Sequence, residues 1–208
     1  TPGLTKRVPT FVDKPFAYDI EDARAMVQLA RKRRTPVLSL SILLSVPEAA
    51  LFKRRLPEVG ELAFGSVRGG SPSLAGQIHT ISLAQHVFGN GVQSVEAMGP
   101  NSLSFVHLNY GDRRDRPTHG VTLNCDTGLT WHCAMYVSAF GSEGAIHSSP
   151  IGDFVFPKGA AINMKLAKKM VRTGKTPVPY EDMLENIVVA TAGRKAQKLG
   201  RTVALSEV

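Results

Sequence analysis

Cysteine is scarce in this sequence, with two among 208 residues, Cys125 and Cys133. Two cannot build the disulfide framework that staples small secreted domains. Their spacing fits no zinc pattern, so no metal site is expected. Both alternate with other residues in strand-like runs and read as buried, reduced thiols, which suits a cytoplasmic protein. Long hydrophobic runs are also missing. The longest apolar stretches, such as "PVLSLSILLSV", carry serines and stop well short of the ~18 residues of a membrane helix. No membrane partner is expected, and the residues after Thr1 show no signal-peptide pattern. Aromatic residues make up only 7% of the chain. None interleaves with the basic runs "RKRR", "KKMVR" and "GRKAQK" as a nucleic-acid stacking surface requires. The net charge of +8 is therefore read as scattered surface charge, much of it at the carboxyl ends of helices where the helix dipole favours it. No nucleic-acid partner is expected.

What is present is an ordinary globular composition, 43% hydrophobic and 20% charged. A chain of this length can bury a real core without staples. The stretch "FVDKPFAYDIEDARAMVQLA" sets the pattern. An apolar run ends at Asp13-Lys14-Pro15, and Asp19 is placed to cap a helix in which Ile20, Ala23, Val27 and Ala30 fall on one face. Thr35-Pro36 stops that helix, and "VLSLSILL" reads as a second strand. This opening is β, α, β, the unit of a parallel sheet. A short helix comes next from Pro47 to Leu56, then the strand "ELAFGSVRGG" and a helix over Ile78 to Phe88. Next come "VQSVEAM", "SLSFVHLNY", "HGVTLNCDT", "LTWHCAMYVSAF" and "GAIHSS". These are strands with short gaps, hence antiparallel neighbours. Between two of them "GDRRDRPTHG" reads as a polar hairpin tip. Helices over Ala161 to Thr173 and Tyr180 to Leu199 close the chain. The last has Leu184, Ile187, Val188 and Thr191 on one face and Gly200 at its end, and "TVALS" is a final short strand. The expected class is α+β, with a largely antiparallel open sheet flanked by helices and preceded by a βαβ unit. The boundary falls near Leu44 to Pro47.

Four stretches in order, "FVDKPFAYDIEDARAMVQLARKRRTPVLSLSI", "GQIHTISLAQHVFG", "AFGSEGAIH" and "YEDMLENIVVATAGRKAQKLGRTVAL", carry a resemblance. Together they make the chain similar to the Gfo/Idh/MocA family, named for glucose–fructose oxidoreductase, inositol dehydrogenase and rhizopine catabolism. The resemblance implies that residues 1–44 are a remnant of a nucleotide-binding (Rossmann) domain. It makes residues 45–208 a C-terminal domain for substrate binding and oligomerisation. It further implies an NAD- or NADP-dependent oxidoreductase acting on a sugar, polyol or sugar-derivative hydroxyl, assembled as a homo-oligomer through its open sheet.

The resemblance also assigns roles. Asp13-Lys14-Pro15 stands where the family reads Glu-Lys-Pro beside the nicotinamide, so Asp13, Lys14 and Pro15 are the expected cofactor contacts. Lys14 is the expected catalytic group for the hydroxyl proton, a role a partly desolvated lysine can fill. His79 matches the histidine of the family's pocket helix and is the second expected catalytic residue. Gln77 and Ser82 are the expected substrate contacts. Four departures stand out: Ala75 and Ser82 replace acids, Gln77 replaces a glycine, and Leu43 and Leu44 stand near a family arginine. No G-x-G-x-x-G loop for a pyrophosphate exists in the chain. "GNGVQS" comes after a helix and has only the first two glycines, and "GSVRGG" has the wrong spacing. The chain is thus expected to be the C-terminal portion of such an enzyme, inactive by itself. The alternative is a non-catalytic relative that binds sugars or serves in assembly.

Overall fold

A computed structural model describes residues 2–71, 73–100, 104–125 and 134–208. After a single helical turn, α1 (Pro2–Thr5), the chain forms β1 (Thr10–Phe11), α2 (Ile20–Arg33) and β2 (Val37–Leu38). The two strands are parallel, with Thr10 opposite Val37 and Phe11 opposite Leu38, and the amide of Val12 extends the ladder by donating to Leu38. Helix α2 starts where Asp19 accepts from the amide of Glu21 at 2.8 Å and ends at Arg34 in the left-handed region. Its buried stripe is Ile20, Ala23, Val27 and Ala30, the four positions expected from spacing. The strand expected over "VLSLSILL" is shorter than the sequence suggests. Beyond Leu38 the chain leaves the sheet, and Ser41 caps a 3-10 turn over Ile42–Leu44 by accepting from the amide of Leu43.

Next come α3 (Pro47–Arg55), β3 (Leu62–Arg68) and α4 (Leu74–Phe88). Helix α4 begins four residues before its expected start, because Ser73 caps it by accepting from the amide of Gly76. The strands β4 (Ser94–Met98), β5 (Phe105–Asn109), β6 (Val121–Asn124), β7 (Ala134–Gly141), β8 (Gly144–His147) and β9 (Ile151–Gly152) come after it, then α5 (Phe156–Thr173), α6 (Tyr180–Leu199) and β10 (Val203–Ala204). Helix α5 starts five residues before the expected Ala161. Pro157 occupies its first turn, where a missing amide costs nothing.

The large sheet is eight-stranded, in the order β10-β4-β5-β6-β3-β7-β8 with β9 beside β7. All its pairs are antiparallel except β3 with β6. The expectation that consecutive strands are neighbours fails there, because β3 inserts between β6 and β7. Its central place buries Val67 completely.

Alternation divides the sheet cleanly. One face holds Val67, Val95, Val106, Leu108, Val121, Leu123, Val137 and Ala139, all buried, and packs on α4 and α6. Gly65 on this face leaves room for the Phe88 ring, whose Cζ would lie 2.6 Å from an added Cβ. The other face has no covering helix among the described residues. Helix α6 sits against both the sheet and the strand pair. It buries Met183, Asn186, Ile187 and Ala190, so its inward stripe is rotated from the expected one. Leu184, Val188 and Thr191 are only half-buried. Cys125 is buried, while Cys133 lies outside the described residues. No described helix is long and apolar enough to cross a membrane.

Candidate functional site

The two parallel strands end side by side, and the segments leaving them border one cavity of about 410 Å³. After β1 comes Lys14, joined to Pro15 by a cis peptide bond. After β2 come Ser39, Leu40 and Ser41. The carboxyl ends of parallel strands are where open α/β sheets bind ligands, since the chain must turn there and its polar groups face outward. The walls are two helices. Ile78, Ser82, Gln85 and His86 of α4 recur at four, three and one residues and form a single helical face. Asp182, Met183, Asn186 and Ile187 do the same on α6. Pro177, Val178 and Pro179 lead into α6, and Lys53 of α3 completes the lining. Helix α6 is tied to the strand end by Tyr180, whose hydroxyl accepts from the amide of Val37 at 3.4 Å, and by the Met183 sulfur, which accepts from the amide of Ser39 at 3.3 Å.

Lys14 is half-buried, and its Nζ donates to the carbonyl of Ala75 in the first turn of α4 at 3.2 Å. Ala75, where the resemblance leads one to expect an acid, thus meets Lys14 through its backbone carbonyl. His79 is close enough to Lys14 to feel its charge, and it meets the cavity through its neighbours Lys14 and Ser41 without being one of the lining residues. Its Nδ1 meets Ser41 Oγ at 2.7 Å. Burial, reinforced by the Lys14 ammonium and only partly offset by Asp13, lowers its pKa from 6.5 to about 4. The ring is therefore neutral at pH 7 and serves as a hydrogen-bonding group.

The remaining expected residues separate. Asp13 is exposed beside Lys14. Gln77 is 1% exposed and does not border the cavity. Ser82 does, accepting from Asn186 Nδ2 at 2.7 Å. Lys14 and Ser82 therefore share the cavity, His79 adjoins it through Ser41, and Gln77 does not border it. Lys53, Gln85, Asp182 and Asn186 carried no signal in the sequence, because only the pairing of α4 with α6 brings them together. His86 is visible there only as a polar residue on the helix, seven residues past His79. Among the described residues, no cluster of three His, Cys, Asp or Glu could hold a metal ion.

The turn "GNGVQS" has a different occupant from a nucleotide. Glu185 of α6 accepts from the amide of Gly91 at 2.8 and 3.0 Å and from that of Val92 at 3.2 Å. These amides bind the protein's own carboxylate. The described residues thus offer no pyrophosphate cradle.

No family model and no curated protein matches the sequence. Solved structures do match in fold. A myo-inositol dehydrogenase from Corynebacterium glutamicum superimposes with a TM-score of 0.76 at 19% identity, covering 98% of this chain and 75% of that one. GenD2 from gentamicin A biosynthesis, in complex with NAD, gives 0.81 at 12% identity, covering 98% and 73%. The scyllo-inositol dehydrogenase from Lactobacillus casei with bound NAD(H) and scyllo-inositol gives 0.76 at 13%, covering 96% and 74%. The fold is that of the Gfo/Idh/MocA dehydrogenases. In this Gfo/Idh/MocA fold the mostly antiparallel sheet with its helices is the C-terminal domain, and the cavity lies beside it at the end of the parallel strands.

Proposed function

We propose that this chain is the substrate-handling part of an oxidoreductase that uses NAD or NADP and acts on a sugar, polyol or sugar-derivative hydroxyl. One observation carries the reading: a half-buried lysine at the end of a parallel strand borders a cavity walled by two helices, in a fold shared with dehydrogenases of inositols and sugars. Bound at Asp13-Lys14-Pro15, the nicotinamide would supply hydride chemistry. Lys14 Nζ would hold the reacting hydroxyl and handle its proton. His79, neutral and fixed by Ser41, would act as a positioning hydrogen-bond partner near Lys14. Residues 1–44 would belong to the nucleotide-binding half and residues 45–208 to the substrate half. The uncovered sheet face would join copies of the chain.

The test is turnover by the protein as its source cell makes it, against a panel of polyols with NAD and NADP. Lys14→Ala should lower kcat by about 10²-fold or more while leaving the unfolding free energy within about 0.5 kcal/mol of the parent. Turnover that survives Lys14→Ala unchanged removes the lysine from the chemistry.

A second reading, a sugar-binding or assembly relative without catalysis, is favoured by different observations. Ala75 and Ser82 stand where acids are expected, and the Gly91 turn is filled by Glu185. Thermal stabilisation by sugars that is indifferent to NAD and NADP, with no turnover, would select it.

A further inference from the structure

The cavity has a length as well as a volume. Its α4 wall runs from Ile78, three residues past the Ala75 carbonyl that holds Lys14, through Ser82 to Gln85 and His86 in the last turn, and on to Gly89. Eleven residues separate Ile78 from Gly89, which at 1.5 Å per residue is about 16 Å. A single pyranose or cyclitol ring is too short to touch both ends. The volume of about 410 Å³ lies within the roughly 300–1,000 Å³ of pockets that enclose larger ligands.

The far end is polar and incompletely paired. Asn186, 9% exposed, donates from Nδ2 to Ser82 Oγ at 2.7 Å and to Gln85 Oε1 at 2.8 Å. Its own Oδ1, Gln85 Nε2 and His86 Nε2 are buried with no partner in the protein. Buried polar groups are nearly always paired, and those left over in a native fold call for a partner outside the chain, an ordered water or a ligand group. Exchanging O and N on both amides keeps the bond between them. Either way the pair is left with one amide nitrogen and one carbonyl oxygen unpaired. A carboxylate or phosphate satisfies the nitrogen and leaves the carbonyl facing negative charge. A hydroxyl accepts from one and donates to the other. Burial, with Lys53 adding to it, lowers the His86 pKa from 6.5 to about 4, so the imidazole brings no positive charge to this end at pH 7. Lys53 is exposed, and Asp182 also lines the cavity.

We propose that the groove takes an elongated, neutral polyhydroxy substrate, two linked sugar-like rings, and that Gln85 and Asn186 hold a hydroxyl of the ring remote from Lys14. The inference rests on the reading of the Lys14 end as the reacting end. It makes Gln85 and Asn186 the specificity determinants of that reaction.

The experiment tracks the side-chain amide ¹⁵N–¹H signals of Gln85 and Asn186, together with the melting temperature. The probes are maltose, cellobiose and trehalose, compared with glucose, myo-inositol and glucuronate. At least one neutral disaccharide should move both amide signals and bind at least tenfold more tightly than either neutral monocyclic probe. Glucuronate should leave the amide signals in place. Gln85→Leu and Asn186→Leu should each erase the disaccharide's advantage over the monocycle. The signals of the unaltered protein decide the matter even if a variant fails to fold. Equal binding of one-ring and two-ring probes, or amide signals unmoved by every saccharide, overturns the proposal. The two readings fail separately. Two-ring binding with the amide response but no NAD- or NADP-dependent turnover supports the groove and removes the oxidoreductase. Turnover of monocyclic polyols without the amide response does the opposite.

Discussion

His79 shows how one side chain couples site to stability. Its pKa is depressed in the folded protein, from 6.5 to about 4, so the folded form binds its proton less readily than the unfolded chain. The unfolded chain therefore carries the extra proton between those values, and stability rises with pH across the interval. The contribution is complete above about pH 6.5 and is lost as pH falls toward 4. For a shift of this size it is on the order of 3 kcal/mol. Urea unfolding at pH 7 and pH 4.5 should show the loss, and because His86 is lowered alike, His79→Gln should remove about half of the dependence. A variant with the parent's pH slope would remove His79 as its source. Glu185 is the second residue whose loss is predictable. It holds the Gly91 and Val92 amides, and hydrogen bonds to a charged group contribute about 1.5–3 kcal/mol. Glu185→Ala should lower the unfolding free energy by that amount and Glu185→Gln by less. Equal stability of Glu185→Ala and parent would contradict the role.

Elements are legible where local rules decide them. The α2 stripe and Asp19 cap come from spacing and side-chain chemistry alone. So does the stop of α6 at Gly200, which takes φ 62°. The start of α4 falls earlier than expected because "SPSLAG" reads as a turn until Ser73 is seen to cap it. The place of β3 between β6 and β7 is hidden, since no local pattern records which distant strand will become a neighbour. The candidate site divides the same way. Lys14 stands out from the strand end and the resemblance, whereas Gln85 and Asn186, 101 residues apart, meet only through the packing of α4 on α6. Gly65 likewise reads as one more strand residue, yet it sets the distance between β3 and α4. Gly65→Ala places a Cβ against the Phe88 ring, and overpacking of this kind costs roughly 1–3 kcal/mol. Phe88→Leu should recover part of that loss when combined with it, a coupling that a double-mutant cycle measures. Additive losses would mean that the glycine matters for another reason.

At the scale of the whole molecule, the described residues give the sheet one face covered by helices and one without, and the ladder register places the side chains of the second in rows. Met98 pairs with Phe105, Phe105 with Asn124, Asn124 with Arg68 and Arg68 with Tyr136. Directly opposed residues share a face, so these five form one line across five strands. A second line passes through Phe64 and Phe140, whose rings lie 5.9 Å apart. Met98, Phe105, Tyr136 and Phe140 are 58%, 47%, 42% and 37% exposed. Apolar side chains concentrated on one continuous surface are a reason to associate, because burying them removes about 25 cal/mol per Å² of contact with water. If copies join through this face, a second positive charge beside Arg68 must be buried unpaired or the copies must separate, and separation costs less. Tyr136→Lys and Phe140→Lys should therefore give a monomer by light scattering at concentrations where the parent is an assembly. The cavity lies on the opposite side of the sheet, behind α4 and α6, so saccharide binding at Gln85 and Asn186 should survive in the monomer. An assembly of unchanged mass in both variants would place the contact elsewhere.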